Sequence, residues 1–296
     1  MNDVVQYPHL SPQANIVIHL PNVERINYIH RDKWINHDLG SQIRNKIKSS
    51  LFLPHNNQAL CMLIIGVGGA GKSSLLERIS SDCSNWAQRN ASPPPHIELK
   101  LSAEPTLANN INSICDQHGI TVPNFRKDTL PIQLVLLLKA RRIKLLLIDE
   151  FNHLLAVNRS EQRKNLNFFK NLSGPPTSLH IVACGTHEAL HAVNMDIQLS
   201  SRFQVMELHQ WTANEEFRAF LASYERVLPL RLPSNLASKE FVNFFSSKTD
   251  STTRNIVNRL KWAAMATIIE GKEKIEIESL EKASSLPDLL SIYEGE

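Results

Sequence analysis

The chain has 296 residues, of which 42% are hydrophobic and 21% are charged, and its formal net charge is +3. This composition is typical of a globular protein with a sizeable core, and so small a charge excess does not by itself indicate nucleic-acid binding. The four cysteines lie far apart, without a CxxC pair or a histidine at zinc-ligand spacing, which argues against a disulfide framework or a zinc site. The sequence has no signal-peptide pattern and no apolar run of about 18 residues, so we expect a soluble, cytoplasmic protein without membrane contact.

The first two regions of the chain differ in their patterns. Residues 1–59 are polar and mixed, and form a lead-in segment with helical spacing of apolar side chains over residues 39–51. Short runs rich in Leu, Ile and Val follow, at residues 60–65, 97–101, 144–148, 179–184 and 203–208. Because runs without strict alternation are typical of strands covered on both faces, residues 60–208 predict an α/β core with a five-stranded parallel sheet flanked by helices.

The last region is helical. Apolar spacing predicts helices over residues 216–227, 238–246, 253–269 and 277–284. We therefore expect residues 209–296 to form a small helical domain with a C-terminal tail.

A glycine-rich stretch directly follows the first apolar run. Residues 66–73 match the P-loop pattern GxxxxGKS, between a predicted strand and a predicted helix over residues 74–81. Glycines let successive backbone N–H groups point at phosphates, and the helix N-terminus adds partial positive charge. Lys72 is placed to reach the β- and γ-phosphates, and Ser73 to offer its hydroxyl to Mg²⁺. We predict that ATP and Mg²⁺ bind at Gly66, Val67, Gly68, Gly69, Ala70, Gly71, Lys72, Ser73 and Ser74.

A pair of acids ends the third apolar run. Asp149 and Glu150 follow residues 144–148 in the Walker B arrangement. Asp149 is expected to hold Mg²⁺ through water, and Glu150 to orient and polarise the attacking water. The carboxyl end of a strand is also the edge where such sheets bind ligands. Two solvated acids are the alternative interpretation, but beside a P-loop the pair favours ATP hydrolysis to ADP and phosphate.

Two further side chains border later strands. Thr186 follows the fourth run, which places its hydroxyl where it can touch the γ-phosphate or the water; capping of the next helix is the alternative. Arg202 precedes the fifth run and can reach the γ-phosphate of a neighbouring subunit, where it would neutralise transition-state charge. An ordinary surface ion pair is the alternative for Arg202.

Together these residues resemble AAA+ ATPases of the initiator and helicase-loader type, and more closely the TniB/TnsC group of transposon ATPases. The P-loop is common to many families, whereas the RDKW segment at residues 31–34 and the spacing of Gly-Thr to Ser-Arg-Phe point to this group. The resemblance covers residues 22–265. Its segments are Glu24-Arg-Ile-Asn-Tyr-Ile29, His30-Arg-Asp-Lys-Trp34, the P-loop, Ile148-Asp-Glu-Phe-Asn-His-Leu-Leu155, Gly185-Thr-His-Glu-Ala-Leu190 and Gln198-Leu-Ser-Ser-Arg-Phe203.

The resemblance implies an AAA+ P-loop NTPase core followed by a helical lid, and it assigns roles to matching residues. The P-loop and Walker B residues keep the roles given above, Thr186 becomes sensor 1, and Arg202 becomes the arginine finger that acts in trans. Arg254 matches sensor 2, for which a helix-surface arginine is the alternative. Tyr28 and Ile29 match the segment flanking adenine, for which packing of the core is the alternative.

The family resemblance also implies a mechanism. ATP-bound subunits would assemble into rings or helical filaments with hexameric or heptameric turns around double-stranded DNA. They would recruit a DDE transposase to a target marked by a TniQ-type selector, and hydrolysis would disassemble them, which implies association with the nucleoid. The alternatives are a helicase loader or initiator-like ATPase, and a nucleotide-gated DNA scaffold with negligible hydrolysis; retention of both Walker B acids favours hydrolysis.

Two parts of the pattern stay open. Related proteins often carry Ile-His after the Walker B acids, whereas this chain has Phe151-Asn152-His153, so either Asn152 or His153, or neither, senses the γ-phosphate and gates Glu150. Initiator-type ATPases would present the region between the second and third strands to DNA. There Arg126, Lys127 and Thr129 are the predicted contacts to phosphates, with a solvated turn as the alternative.

Other basic stretches are expected to form solvated helix faces or subunit contacts. They comprise Arg44, Lys46, Lys48, Lys139, Arg141, Arg142 and Lys144.

Overall fold

A computed structural model describes residues 6–52, 59–120, 130–247 and 251–290, which form two compact units. One unit is Leu39–His209. The other combines the residues up to Asp38 with those from Gln210 onward. The lead-in predicted over residues 1–59 is thus divided between the two units, because its first helices pack against the C-terminal helices.

A parallel sheet forms the centre of the unit Leu39–His209. Its strands are β1 (Cys61–Gly66), β2 (His96–Lys100), β3 (Leu145–Asp149), β4 (His180–Gly185) and β5 (Phe203–Leu208). They lie in the order β2-β3-β4-β1-β5, and every pair is parallel. Every residue of β1 is buried, as expected for a strand covered on both faces. The prediction of a five-stranded parallel sheet is confirmed, with each strand within one residue of its predicted position.

The helices of this unit begin with α3 (Asp38–Phe52), which has the predicted apolar spacing. The others are α4 (Lys72–Arg89), α5 (Leu107–Asp116), α6 (Ile132–Ala140), a 3-10 helix (Phe151–Ala156), α7 (Arg159–Ser173), α8 (Ala189–Asn194) and α9 (Ile197–Ser200). Helix α4 continues well past the predicted end at residue 81, because Leu75, Ile79 and Cys83 keep one buried stripe along it.

The strand order decides which side chains meet. β1 lies between β4 and β5, and β3 lies on the other side of β4. Ile148 of β3 is level with Ala183 of β4, and Ile65 of β1 is level with Gly185. All strands point the same way, so their carboxyl ends lie on one side of the sheet. The P-loop after β1, the acids at the end of β3 and the residues after β4 therefore lie together at these carboxyl ends.

The second unit is helical. Its helices are α1 (Pro12–Val17), α2 (Asn22–His30), α10 (Glu215–Glu225), α11 (Lys239–Ser246), α12 (Thr253–Ile269) and α13 (Ile277–Lys282). Ile26 and Ile29 of α2 belong to the same buried cluster as Phe217, Leu260 and Leu280. Among the helices that the structure describes, none is long and apolar enough to cross a membrane.

A buried ion pair joins the two ends of the chain within this unit. The Arg25 guanidinium is fully buried; it donates a hydrogen bond to Glu273 Oε1 at 2.8 Å and contacts Oε2 as well. It also donates to the Pro229 carbonyl at 2.8 Å. A buried charge is tolerated when it is paired and hydrogen-bonded, so these contacts account for a buried arginine in an apolar cluster.

Candidate functional site

The predicted P-loop connects β1 to α4. Gly69 and Gly71 have φ angles of 80° and 100°, a region that other residues rarely adopt. Gly71 is the N-cap of α4 and provides no capping side chain, so the first backbone N–H groups of the helix point toward the loop. Ser73 and Ser74 are exposed in that first turn. The remaining predicted residues, Val67, Gly68 and Ala70, complete the turn between Gly66 and the helix.

Lys72 lies over the loop that precedes it. Its Nζ donates to the carbonyl of Gly66 at 2.8 Å and to that of Val67 at 2.9 Å. These two carbonyls hold the ammonium group at the mouth of the P-loop. A cation there, together with the amides at the N-terminus of α4, makes a site suited to phosphate groups.

The two predicted acids end β3 with different surroundings. Asp149 is half-buried, and its Oδ1 accepts the backbone N–H of Glu150 at 2.8 Å. Glu150 has φ 57° and ψ 41°, a left-handed conformation that costs a non-glycine residue of order 1 kcal/mol or more and is often found at functional sites. This turn starts the 3-10 helix. The hydroxyl of Ser73 and the carboxylate of Asp149 are oxygen donors of the kind that Mg²⁺ prefers, so the two residues fit the predicted ion.

Asn152 binds the end of β4. Its Oδ1 accepts the backbone N–H of Thr186 at 3.1 Å. The Oγ1 of Thr186 is buried, and no group in the described part of the chain forms a hydrogen bond with it. A buried hydroxyl with no protein partner at a sheet edge is well suited to a ligand or a bound water. This favours a ligand-contacting role for Thr186 over simple helix capping.

His153 occupies a different place from Asn152. Its Nδ1 forms a hydrogen bond with the carbonyl of Leu101, just after β2, at 3.1 Å. Its Nε2 lies 4.0 Å from Oε2 of Glu150. The sequence left open which of the two residues acts on Glu150. Of this pair, His153 lies beside the Glu150 carboxylate, whereas Asn152 accepts the backbone N–H of Thr186.

A buried thiol reports the electrostatics of the site. Burial raises the pKa of Cys184 well above its usual value, the carboxylates of Asp149 and Glu150 raise it further, and Lys72 lowers it. Its Sγ also lies 3.8 Å from the backbone oxygen of Lys72. The charged groups of the P-loop and of the end of β3 therefore lie around one point. Sequence patterns did not single out Cys184, whose only signal is its place in the strand just before Gly185-Thr186.

Arg202 lies at the amino ends of the strands, whereas the P-loop lies at their carboxyl ends. β5 begins at Phe203, which is level with Cys61 at the start of β1, whereas the P-loop follows the end of β1. Five residues of strand separate the two levels, or about 17 Å. The guanidinium donates from Nη1 to the Lys170 carbonyl at 2.9 Å and to Ser173 Oγ at 2.7 Å, at the C-terminus of α7. Arg202 is thus remote from the P-loop of its own chain.

Three predicted nucleotide contacts belong to the helical unit. Arg254 is exposed in the first turn of α12, after the N-cap Thr252. Ile29 is fully buried in the core of the unit, which its packing explains. Tyr28 is partly exposed and has the Lys33 ammonium 4.0 Å from its ring centroid. The predicted DNA contacts Arg126, Lys127 and Thr129 lie outside the described residues.

Solved structures with the same fold include proteins that bind nucleotides or DNA. The ORC2 protein of Aeropyrum pernix, solved as ADPNP–ADP complexes, is 16% identical, with a TM-score of 0.58 over 87% of this chain and 70% of that one. The ORC1 protein of the same organism in complex with DNA is 13% identical, with a TM-score of 0.58 over 87% and 68%. AMPPCP-bound DnaA from Aquifex aeolicus is 17% identical, with a TM-score of 0.52 over 92% and 69%. At these identities the likeness shows the fold alone, and that fold is the AAA+ core with C-terminal helices.

Comparison of sequences gives the family. No curated protein matches the chain. The family model described as "Bacterial TniB protein" matches residues 25–213, from α2 to just beyond β5. That range contains the P-loop, Asp149, Glu150, Thr186 and Arg202, and it covers well over half of the chain. The chain therefore belongs to the TniB family.

Proposed function

We propose that this protein is an ATP-dependent regulator of DNA transposition that assembles on target DNA, links a TniQ-type target selector to a DDE transposase, and hydrolyses ATP to disassemble. The observation that carries the proposal is the convergence of Lys72, Asp149, Glu150 and Thr186 on one sheet edge of a TniB-family chain. Solved structures of the same fold are described with ADPNP, AMPPCP or DNA, which supports these ligands here.

In this proposal each residue acts on a stated part of ATP. The amides of residues 66–73 and the Lys72 ammonium bind the phosphates, and Ser73 and Asp149 hold Mg²⁺. The ion, when bound, neutralises phosphate charge. Glu150 orients the attacking water, and the Thr186 hydroxyl, which has no hydrogen-bond partner among the described residues, contacts that water or the γ-phosphate. Tyr28 is proposed to flank adenine and Arg254 to act as sensor 2, while Ile29, fully buried in the core of its unit, would support the adenine-flanking segment without touching the nucleotide.

Arg202 acts in trans in this proposal. It lies about 17 Å of strand length from the end of the sheet that carries its own P-loop, which supports a role on a neighbouring subunit rather than on its own nucleotide. Head-to-tail contacts of this kind generate a closed ring or an open helical filament. Hydrolysis would therefore require assembly, and assembly would require bound ATP.

DNA binding is proposed to be independent of sequence. Arg126, Lys127 and Thr129 would contact phosphates, at about 1 kcal/mol or less per contact. Weak contacts become strong when many subunits bind one duplex. This accounts for a DNA-binding protein whose formal net charge is only +3.

DNA co-sedimentation with negative-stain imaging tests the proposal, with ATP, ADP and a non-hydrolysable analogue in parallel. We expect ordered particles on duplex DNA with ATP or the analogue and none with ADP. Lys72→Ala should abolish them, whereas the control Lys164→Ala, which removes a lysine paired with Glu161 on α7, should not. DNA-indifferent behaviour in all three nucleotide states would contradict the proposal.

Two further measurements separate the alternatives. Particles that form normally but release no phosphate would indicate a nucleotide-gated scaffold. Binding of the assembled particles to a purified TniQ-type protein and a purified DDE transposase, with a replicative helicase as the comparison, distinguishes a transposition regulator from a helicase loader.

A further inference from the structure

A cleft unrelated to the P-loop lies within the unit Leu39–His209. It has a volume of about 480 Å³ and runs between α3 and α4. Pro95 and Lys144, which border it, precede β2 and β3, so the cleft lies toward the amino ends of the strands. The nucleotide site lies at the carboxyl ends. A ligand in this cleft would therefore not contact the P-loop of the same chain.

The floor of the cleft is apolar. Ile47 and Leu51 of α3 face it, one turn apart, and so do Ile79, Cys83 and Trp86 of α4, at positions i, i+4 and i+7. Each helix thus contributes one apolar stripe to the floor. Such a groove between helices accepts large apolar side chains of a partner.

An exposed aromatic ring borders the floor. Phe52, in the last turn of α3, is 59% exposed. Its ring meets that of Trp86 edge to face, with the centroids 5.7 Å apart and the planes at 79°. Large apolar side chains left in water beside a cleft are typical of a contact site for another molecule.

The rim of the cleft is basic. One acidic side chain, Asp82, faces six basic ones: Arg44, Lys48, Arg78, Arg89, Arg142 and Lys144. Asp82 is already occupied, because Arg44 lies 2.6 Å and Arg78 lies 3.2 Å from its carboxylate oxygens.

Three cations on this rim are not neutralised. Lys48, Arg89 and Arg142 are exposed, and within the described ranges no carboxylate forms an ion pair with any of them. The whole chain has a formal net charge of only +3, so this concentration of cations is a local feature. From the sequence, Lys48 and Arg142 were expected only on solvated helix faces or in subunit contacts; their position together on the rim of a cleft was not predicted.

We propose that this cleft binds an acidic peptide segment of a partner protein, with large apolar side chains on the floor between α3 and α4 and carboxylates on Lys48, Arg89 and Arg142. From Arg78 to Arg89 the α4 wall is about 16 Å long, from the helical rise of 1.5 Å per residue. An extended peptide of about five residues spans that length. The proposal is independent of the proposed ATPase function.

Charge alone would also attract a single-stranded nucleic acid. Nucleotide bases can stack on Phe52 and Trp86, but the aliphatic side chains of the floor, such as Ile47 and Ile79, favour the peptide, because Leu-type side chains bury against them. Carboxylates that alternate with apolar side chains match both the rim and the floor.

The test uses the full chain and an array of peptides of about eight residues, in which Glu or Asp alternates with Leu, Phe or Trp. Two matched sets replace either the acids by Gln or the apolar residues by Ser. The tightest binder is then titrated by fluorescence anisotropy, in parallel with a labelled oligothymidylate. The variants are Lys48→Glu/Arg89→Glu/Arg142→Glu and Phe52→Ser. The control is Lys139→Glu/Arg159→Glu/Arg163→Glu, which reverses three exposed charges outside the cleft.

We expect only the peptides with both acids and apolar residues to bind. The cleft triple variant should weaken binding by about tenfold or more, and Phe52→Ser should also weaken it, while the control triple binds normally. ATP hydrolysis and melting temperature should be unchanged in every variant that is compared. Absence of peptide binding, or equal affinity in the two triple variants, would overturn the proposal. Binding of the oligothymidylate without the peptides, lost in the cleft triple variant, would assign the cleft to nucleic acid instead.

Discussion

His153 links the end of β2 to Glu150. Its Nδ1 lies 3.1 Å from the Leu101 carbonyl, and its Nε2 lies 4.0 Å from the Glu150 carboxylate. Because a carbonyl only accepts hydrogen bonds, Nδ1 carries a proton and fixes the orientation of the ring; with Nε2 protonated as well, the cationic ring attracts the Glu150 carboxylate. The Glu150 backbone is held as well, since the His153 N–H donates to the Glu150 carbonyl at 2.9 Å. We infer that His153 is a positioning residue for Glu150.

Replacement of His153 tests this role. We expect His153→Ala to lower kcat for ATP hydrolysis by about threefold to tenfold while the Kd for ATP stays unchanged, because only the orientation of Glu150 is lost. His187→Ala, which removes an exposed histidine paired with Glu207, serves as the control. Equal loss of ATP affinity and turnover would mean that His153 supports the fold of the site rather than Glu150.

Glu150→Gln should separate binding from turnover. The amide keeps the size of the side chain but cannot polarise water, so we expect normal ATP affinity, phosphate release reduced by about 100-fold or more, and long-lived particles on DNA. Phosphate release and DNA dissociation are measured on the same samples. Hydrolysis at the wild-type rate would remove Glu150 from the mechanism.

A mixing experiment tests whether Arg202 acts in trans. Arg202→Ala and Glu150→Gln should each be inactive alone, although Glu150→Gln still binds ATP and assembles. In a mixture, an Arg202→Ala subunit provides an intact Glu150 and a Glu150→Gln neighbour provides an intact arginine, so part of the hydrolysis should return. A matched mixture of Glu150→Gln with the double variant Glu150→Gln/Arg202→Ala should stay inactive. No recovery in assembled mixtures would show that Arg202 does not act across the interface.

Salt dependence tests the proposed DNA contacts. Arg126→Ala/Lys127→Ala should reduce the slope of log K against log salt by about 2, since each lost phosphate contact removes about 0.9. The control Arg159→Ala/Arg163→Ala removes the same charge from α7. An unchanged slope in the first variant would place the DNA contacts elsewhere.

The buried pair of Arg25 and Glu273 predicts an acid-sensitive helical unit. Burial acts to raise the pKa of Glu273, but the hydrogen bonds and charge of Arg25 outweigh it and hold the pKa below its usual value. A carboxylate with a lowered pKa stabilises the folded state above its unfolded pKa, and this stability is lost as the pH falls through the folded value. Amide hydrogen exchange in α12 should therefore accelerate on acidification below about pH 4.

Two variants check this prediction. Arg25→Ala leaves the Glu273 carboxylate with only the guanidinium of the exposed Arg231, 3.8 Å away, and its backbone N–H. It should lower the protection of α12 at neutral pH by about 3 kcal/mol, the low end for a broken buried ion pair. Glu273→Gln removes the titrating group, so the acid-dependent part of the change should shrink. Identical pH profiles in Glu273→Gln and the wild type would rule out Glu273 as the source.

The sheet and the P-loop were predictable because their determinants are local. Continuous apolar runs mark strands buried on both faces, and the spacing of glycines, Lys72 and Ser73 fixes the loop. The separate roles of Asn152 and His153 could not be predicted from the sequence. These two residues are neighbours in a 3-10 helix, yet Asn152 contacts the end of β4 and His153 the end of β2. The division of the lead-in segment was also hidden, since Arg25 and Glu273 are 248 positions apart and no local pattern connects them.

That separation has a consequence for synthesis. The unit Leu39–His209 is one continuous stretch, so it can fold as soon as it has left the ribosome. Helix α2 cannot bury Arg25 until Glu273 has been made. We therefore expect the unit Leu39–His209 to form first, while α1 and α2, made before it, wait with Ile26 and Ile29 still unburied for the helices that follow Gln210.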